Sequence, residues 1–221
     1  MDNTDRNKLE ILRQHLPHLQ FITSNPNHAE MACKAGCKWI QLRVKNAGYS
    51  SFLNLAGQIK TICDIYNAIF IVNDSIEVAA EVKADGVHLG KMDTPVEQAR
   101  EKLGDSFIIG GTANTYDDVV HLDSNGADYA GVGPFRFTLT KLFLSPILGE
   151  DGYSRIVSKC IESGIKLPLV AVGGIDSDDV KTLFNLGVHG VAVSSAISAS
   201  PNVGDKTGEF IEAIRRFRDC C

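Results

Sequence analysis

Short apolar runs alternate with segments of helical periodicity along most of the chain. The runs rich in β-forming apolar residues are 19–23, 39–43, 69–74, 86–90, 107–111, 128–133, 168–174 and 190–195. Segments between them, such as 51–66, 117–126 and 176–187, carry apolar residues at helical spacing. Strand followed by helix, repeated eight times, predicts an α/β protein with the fold of a (β/α)8 TIM barrel.

The pattern predicts one domain over residues 1–221, with an extra N-terminal helix before Leu19. The apolar runs are nearly continuous, as in parallel strands covered by helices. A doubly wound open sheet is the alternative, because periodicity does not reveal whether a sheet closes.

Charge and composition restrict the partners of the protein. The net charge is -5, and lysine and arginine are scattered along the chain, which argues against nucleic-acid binding. No apolar run of about 18 residues or signal-peptide pattern is present, so we expect no membrane partner and a cytoplasmic location. The six cysteines lack zinc-type spacing with histidine and are expected to be reduced thiols.

An amide and two cations follow the second apolar run. Gln41, Arg43 and Lys45 occupy alternate positions, so in an extended strand their side chains point to one side. Two cations facing the barrel are costly to bury unless an anion lies between them. The spacing therefore indicates an anion-binding site at this strand end.

Two carboxylates follow the next two runs. Asp74 comes directly after Asn73, and Asp93 follows the run that contains His88. Carboxylates at neighbouring strand ends, beside cations, form a hard-oxygen site of the type that Mg2+ uses together with phosphate oxygens. Helix N-capping by Asp74 and Asp93 is the alternative, and His88 is equally well explained as a structural residue.

The last two strand ends carry groups suited to a phosphate. Gly173 and Gly174 precede a predicted helix start, and Ser194 and Ser195 follow the eighth run. Loops after the seventh and eighth strands commonly bind phosphate in this architecture. A tight glycine turn and serine helix caps remain the alternative.

A polar loop follows the sixth run. It contains Thr138, Thr140 and Lys141, and we expect it to close over two phosphorylated groups, with the lysine neutralising one and the hydroxyls holding the other. Arg136, in the same loop, either adds an anion contact or is a solvated surface residue.

The motifs QLRVK, GVHLGKMD, ADYAGVGPFRFTLTK and LVAVGGI, in this order between about Leu19 and Ile197, resemble those of the thiamine-phosphate synthase family. The resemblance implies a transferase that joins 4-amino-2-methyl-5-(diphosphooxymethyl)pyrimidine to 4-methyl-5-(2-phosphooxyethyl)thiazole, with Mg2+ as cofactor. It implies that the small-molecule substrates are bound by Gln41, Arg43, Lys45, Asn73, His88, Thr112, Thr138, Thr140, Lys141, Gly173, Gly174, Ser194 and Ser195. Arg43, Lys45 and Lys141 would be catalytic, and Asp74 and Asp93 would bind Mg2+.

The chain departs from the family pattern beside these positions. Ser75 stands where the family has arginine, and Lys91-Met92 replaces a Gln-Glu pair, so Lys91 is a candidate to restore the charge lost at Ser75. A thiazole tautomerase on the same barrel is a second hypothesis, although it would use a histidine where this chain has Asn114. A non-catalytic binder of phosphorylated thiamine precursors is a third. Assembly into a homo-oligomer is left open.

Overall fold

In a computed structural model of the chain, eight parallel strands close into a barrel. The structure describes residues 16–45, 47–137 and 146–219. The strands are β1 Leu19–Thr23, β2 Trp39–Leu42, β3 Ile69–Asn73, β4 Gly86–Leu89, β5 Ile108–Ala113, β6 Tyr129–Val132, β7 Leu169–Val172 and β8 Gly190–Val193. Each pairs with the next, and β8 returns to β1 with Val193 opposite Phe21. This closure confirms the TIM barrel and rules out the open sheet.

Helices cover the outside of the barrel. They are α1 Pro26–Lys34, α2 Tyr49–Tyr66, α3 Ile76–Glu81, α4 Val96–Leu103, α5 Tyr116–Ser124, α6 Gly149–Glu162, α7 Val180–Asn185, α8 Ser195–Ser198 and α9 Val203–Arg218. The helix predicted over 176–187 is in fact a 3-10 turn, Ser177–Asp179, followed by α7. The predicted N-terminal helix falls mainly on residues 1–15, outside the described residues.

Side-chain alternation along the strands divides the apolar core in two. One set of strand residues packs outward against the helices. The other set points inward and fills the barrel, with Trp39, Ile71, Tyr129 and Val170 among its members. The rings of Trp39 and Tyr129 meet edge to face, with centroids 5.0 Å apart. Trp39 and Tyr129 begin their strands and Val170 is second in β7, so this packing fills the barrel toward its amino-terminal end.

Local sequence explains where several helices begin. The Asn25 side chain accepts hydrogen bonds from the first backbone N–H groups of α1, and Pro26 occupies the first turn, where its missing N–H costs nothing. Thr115 and Asp118 form a capping box at the start of α5. Among the helices of the described segments, none combines the length and apolar character needed to cross a bilayer.

Two histidines lie at the amino-terminal end of the barrel, next to the seam where β8 meets β1. The His18 ring donates through Nδ1 to the His189 carbonyl at 2.5 Å, and the His189 ring donates through Nε2 to the Leu16 carbonyl at 2.8 Å. Burial lowers the pKa of both rings, and nearby Arg218 lowers each pKa further, although these hydrogen bonds act in the opposite direction. The folded chain therefore resists protonation at this end.

We predict that acidification destabilises the fold through these two rings. Below the ordinary histidine pKa of about 6.5, the unfolded chain binds protons that the folded chain does not, so the free energy of unfolding should fall as pH drops through that value. The loss is bounded by about 1.4 kcal/mol per histidine for each pH unit. Urea denaturation at about pH 7.5 and about pH 5.5 measures it.

The His189→Gln variant should show a smaller difference between the two pH values than the wild type. His121→Gln, at an exposed position on α5, serves as the matched control and should keep the wild-type difference. An equal pH difference in the wild type and His189→Gln would contradict this explanation.

Candidate active site

Polar side chains from several strand ends surround a cavity of about 430 Å³ at the carboxyl end of the barrel. This is the end at which (β/α)8 barrels place their functional residues. The cavity brings together most of the candidate residues from the first half of the chain: Gln41, Arg43, Lys45, Asn73, Asp74, His88, Asp93 and Thr112. Gly173, Gly174, Ser194 and Ser195 do not line it, and Thr138, Thr140 and Lys141 lie outside the described residues.

A buried pair of amides forms one wall of the cavity. Gln41 on β2 donates from Nε2 to Oδ1 of Asn73 on β3 at 2.6 Å, and the two side chains are only 2% and 5% exposed. Each amide retains further hydrogen-bonding capacity after this contact. The pair therefore presents fixed donors and acceptors to the interior of the cavity.

The two cations stand at the mouth of the cavity, beyond the strand. Both line the same cavity as Gln41, as expected from their spacing, although β2 ends at Leu42 and they follow it. The Arg43 backbone N–H still bonds the Thr23 carbonyl, but the Arg43 side chain is half-buried and Lys45 is exposed. The charge of Lys45 therefore costs little to place there, whereas that of Arg43 is partly removed from water.

The two carboxylates at the cavity are not helix caps. Ser75 occupies the cap position of α3 and accepts from the Val78 N–H, whereas Asp74 precedes it with a φ of 69°. Asp93 Oδ2 accepts from the Gly90 N–H at 2.6 Å, which closes a turn three residues before α4 begins. This removes the capping alternative for both residues.

Among the described residues, no group of three or more histidine, cysteine or acidic side chains could hold a metal ion. Asp74 and Asp93 form a smaller set, a pair of carboxylates at one cavity. Mg2+ is commonly held by one or two carboxylates, with water and substrate phosphate oxygens completing the shell. The donors present fit such an ion.

His88 and Thr112 belong to a hydrogen-bonded chain that crosses the interior of the barrel. The His88 Nε2 atom lies 3.1 Å from the Thr112 hydroxyl, and Nδ1 lies 3.1 Å from the Tyr129 hydroxyl. Gln20 donates to the same Tyr129 oxygen at 3.2 Å. Sequence reasoning missed Gln20 and Tyr129. Side-chain alternation along β1 and β6, which turns both residues toward the barrel interior, was the signal that could have found them.

The Gly173-Gly174 turn after β7 is held in place by Arg136. Both glycines have positive φ, 101° and 65°, and a Cβ atom on Gly173 would lie 2.7 Å from the Cβ of Pro134. Arg136 donates from its backbone to the Gly173 carbonyl at 2.9 Å and from Nη1 to the Gly174 carbonyl at 3.3 Å. Gly173 and Gly174 thus form a tight turn, as one of the two interpretations predicted, and phosphate binding there stays a prediction.

Arg136 also forms a two-pronged ion pair with Asp179, whose side chain is only 11% exposed. Asp179 accepts in addition from the Asp176 N–H at 2.8 Å. The Arg136 side chain is nevertheless 52% exposed, so the interpretation as a solvated loop residue holds, and its guanidinium pairs with Asp179 from the solvent side.

The serines after β8 are accessible to solvent. Ser194 stands immediately before the short helix α8 but makes no side-chain capping bond, and Ser195 is exposed. Their hydroxyls do not cap α8 in the way the alternative supposed.

Lys91 is engaged elsewhere than at the position of Ser75. Its ammonium contacts Asp118 at 2.6 Å, and Asp118 also accepts from the Asn114 N–H at 2.8 Å. Partial burial raises the pKa of Asp118, but the bonds from Lys91 and the backbone outweigh it, so the net direction is downward. Lys91 also lines the cavity, so its role as a compensating charge stays a prediction.

Fold and cavity together define a (β/α)8 barrel whose carboxyl-end cavity is lined by carboxylates, cations, amides and hydroxyls, the place where enzymes of this fold carry their active sites. Comparison with known proteins specifies the class. The model of the family described as thiamine monophosphate synthase matches residues 17–197. Thiamine-phosphate synthase of Bacteroides fragilis is 47% identical over 199 residues, covering 87% of this chain and 98% of that protein. Its counterpart in Bacteroides thetaiotaomicron is 46% identical over 203 residues, covering 89% and 97%.

Comparison with solved structures indicates the same family. Thiamine phosphate pyrophosphorylase from Pyrococcus furiosus superposes with a TM-score of 0.81 at 30% identity, over 96% of this chain and 98% of that one. A 3-hexulose-6-phosphate synthase, at 13% identity and a TM-score of 0.65 over 90% of this chain and all of that one, shares the fold alone. The chain belongs to the thiamine-phosphate synthase family, and it is a transferase of thiamine biosynthesis.

We predict that the Arg136–Asp179 pair contributes more to stability than the Lys91–Asp118 pair. A double-mutant cycle with Arg136→Ala and Asp179→Asn should give a coupling energy of about 1–2 kcal/mol in urea denaturation, because one partner is buried and the contact is two-pronged. The matched cycle with Lys91→Ala and Asp118→Asn should give less than about 1 kcal/mol, since its carboxylate is more exposed than that of Asp179 and the contact is a single one. Equal couplings in the two cycles would contradict the role given to Arg136.

Proposed function

We propose that the chain condenses 4-amino-2-methyl-5-(diphosphooxymethyl)pyrimidine with 4-methyl-5-(2-phosphooxyethyl)thiazole to give thiamine phosphate and diphosphate, in a Mg2+-dependent reaction. The observation that carries the proposal is the single cavity in which an amide pair, two cations and two carboxylates meet. An aminopyrimidine needs paired donors and acceptors, and a diphosphate needs positive charge and a metal. Both needs are met within one volume.

Mg2+ would be held by Asp74 and Asp93, and when bound it would help to neutralise the charge of the diphosphate leaving group. Neither carboxylate is committed to capping a helix. The Asp93 bond to the Gly90 N–H fixes one of its oxygens, which leaves the other available to an ion. Their position at one cavity supports the assignment of both carboxylates to Mg2+.

The bond between the pyrimidine methylene carbon and the diphosphate oxygen breaks first in the proposed reaction. The departing electrons go to the diphosphate oxygen, and the electron-rich aminopyrimidine stabilises the carbocation that remains. The thiazole nitrogen then supplies an electron pair to that carbon. No side chain of the protein has to transfer a proton for this sequence, so electrostatics and positioning carry the catalysis.

The residues of the first half-barrel divide this work. Arg43 and Lys45 at the mouth of the cavity would bind the diphosphate and oppose its growing charge. Gln41 and Asn73, which fix each other by their hydrogen bond, would hold the edge of the pyrimidine ring. Filling the cavity with both substrates would exclude water, which would otherwise capture the carbocation.

The second half-barrel would hold the thiazole phosphate. The rigid Gly173-Gly174 turn, fixed by Arg136, is a suitable backbone receptor for it. Ser194 and Ser195, together with Thr138 and Thr140, are proposed to complete this grip, and Lys141 is proposed to contact the diphosphate. The cytoplasmic location and any homo-oligomer remain predictions.

The tautomerase hypothesis gains no support from the position it requires. Asn114, which stands where that branch would use a histidine, donates through Nδ2 to the Gly133 carbonyl. It does not line the cavity. The synthase is therefore the better supported reaction.

The first test incubates the purified chain with both substrates, with and without Mg2+, and follows thiamine phosphate by fluorescence after oxidation. We expect product only with Mg2+. Binding of both substrates without product would overturn the synthase in favour of a non-catalytic binder, and product formed equally well without a divalent ion would overturn the metal requirement.

The Asp93→Asn variant tests the metal assignment. Asparagine keeps an oxygen that can accept from the Gly90 N–H but removes the charge, so we expect coupling to slow by one to several orders of magnitude, at about 1.4 kcal/mol for each tenfold. The matched control is Asp105→Asn, an exposed residue that precedes β5 and so lies near the opposite end of the barrel. Full activity of Asp93→Asn would show that Asp93 is not a metal ligand.

A further inference from the structure

Four side chains form a continuous hydrogen-bonded network through the barrel, which we call the Tyr129 network. It runs from Gln20 on β1 to Tyr129 on β6, then to His88 on β4 and to Thr112 on β5, with separations of 3.2, 3.1 and 3.1 Å. Thr112 lines the cavity, whereas Tyr129 is completely buried. The Tyr129 network thus connects the filled interior of the barrel to the wall of the cavity.

Two glycines provide the space that the rings of the Tyr129 network occupy. A Cβ atom on Gly110 would lie 2.1 Å from Cζ of the Tyr129 ring, and one on Gly131 would lie 2.9 Å from Cε1 of His88. Both glycines occupy inward-facing strand positions, so the side chain of any larger residue would displace the ring of Tyr129 or His88. The arrangement of Tyr129 and His88 therefore depends on these two small positions.

The direction of these hydrogen bonds follows from the donors and acceptors available around the Tyr129 hydroxyl. The Gln20 amide presents its NH2 group, which only donates, so the Tyr129 oxygen accepts there. Burial raises the pKa of the Tyr129 phenol, partly offset by the Gln20 bond, so the phenol keeps its hydrogen. A buried hydroxyl hydrogen without an acceptor is costly, and the Nδ1 atom of His88 lies 3.1 Å from the oxygen. Tyr129 therefore donates to Nδ1.

The tautomer of the neutral His88 ring is fixed by that bond. Because Nδ1 accepts, the hydrogen of the neutral ring resides on Nε2, which donates to the Thr112 hydroxyl. The Thr112 oxygen is then occupied as an acceptor toward His88. Its own hydrogen remains available for a group inside the cavity.

We propose that Tyr129 and Gln20 are positioning residues, which act through His88 to direct the hydroxyl hydrogen of Thr112 into the cavity as a donor to a diphosphate oxygen. The choice of diphosphate as the acceptor rests on the function proposed above, but the tautomer of His88 does not. With the opposite tautomer, the Thr112 hydrogen would point toward His88, and the hydroxyl would offer only lone pairs to an anion, which repel it.

The first experiment determines which ring nitrogen of His88 carries the hydrogen. The full chain is labelled with 15N in its histidine rings, long-range 1H–15N spectra are recorded, and His88 is assigned by the loss of its signals in His88→Gln. The expected result is hydrogen on Nε2. Hydrogen on Nδ1, on both nitrogens, or exchanging between them would overturn the proposal. No substrate is needed, so this result is independent of whether the chain makes thiamine phosphate.

Tyr129→Phe removes the donor to Nδ1 at nearly constant volume. We expect the His88 ring to lose its fixed Nε2–H form in this variant. Tyr153→Phe is the matched control, because Tyr153 is also fully buried and its hydroxyl donates to the Val132 carbonyl instead. The control should keep the wild-type His88 spectrum. An unchanged spectrum in Tyr129→Phe would show that Tyr129 does not set the tautomer.

Binding of inorganic diphosphate in the presence of Mg2+ tests the action through Thr112. Tyr129→Phe and Thr112→Val should each weaken it by about tenfold, on the scale of one hydrogen bond to a charged group, whereas Thr112→Ser should restore it. In the double variant, Tyr129→Phe should add little to the effect of Thr112→Val. Fully additive effects would overturn the proposed relay through Thr112. Loss of coupling activity with these binding results intact would instead count against the synthase reaction alone.

Discussion

The pairing of β8 with β1 is the constraint on which the site depends. Register between Phe21 and Val193 closes the sheet, and because all strands run parallel, their carboxyl ends form one ring. Residues as distant in the chain as Lys45 and Thr112 then face the same cavity. An open sheet made of the same strands would leave the ends of β1 and β8 at opposite edges.

The strand pleat then separates two kinds of interior. Outward residues pack against helices, whereas the inward set combines apolar side chains such as Trp39 with polar ones such as Asn73 and Thr112, which lie near strand ends and line the cavity. Tyr129 lies at the boundary between these layers and has both characters, since its ring packs on Trp39 and its hydroxyl joins Gln20 and His88. A polar group buried so deeply must find partners, and this requirement extends the organisation of the cavity into the core.

The fold was predictable because each strand carries its own signal. Apolar runs and glycine turns located the strands to within one or two residues at most boundaries, and pairing order follows from chain order once the barrel is recognised. The meeting of Gln41, Asn73, Asp74 and Asp93 at one cavity was predictable for the same reason, because consecutive strand ends are neighbours.

Other features depend on contacts that sequence spacing does not encode. Arg136 reaches Asp179 across 43 positions, and Tyr129 reaches Gln20 across 109. The end of β2 at Leu42, which leaves Lys45 exposed, is set by where its neighbours stop pairing rather than by its own alternation. Capping of α3 by Ser75 instead of Asp74 depends on a one-residue choice that both residue types satisfy.

Under the proposed function, one rim of the barrel holds a metal-bound diphosphate beside a separate phosphate. A crystal structure of the chain with Mg2+, inorganic diphosphate and the thiazole phosphate tests this most directly. We expect Mg2+ in contact with the diphosphate and with the carboxylates of Asp74 and Asp93, and the thiazole phosphate at the Gly173-Gly174 turn. Diphosphate bound at that turn, or Mg2+ bound without contact to either carboxylate, would contradict it.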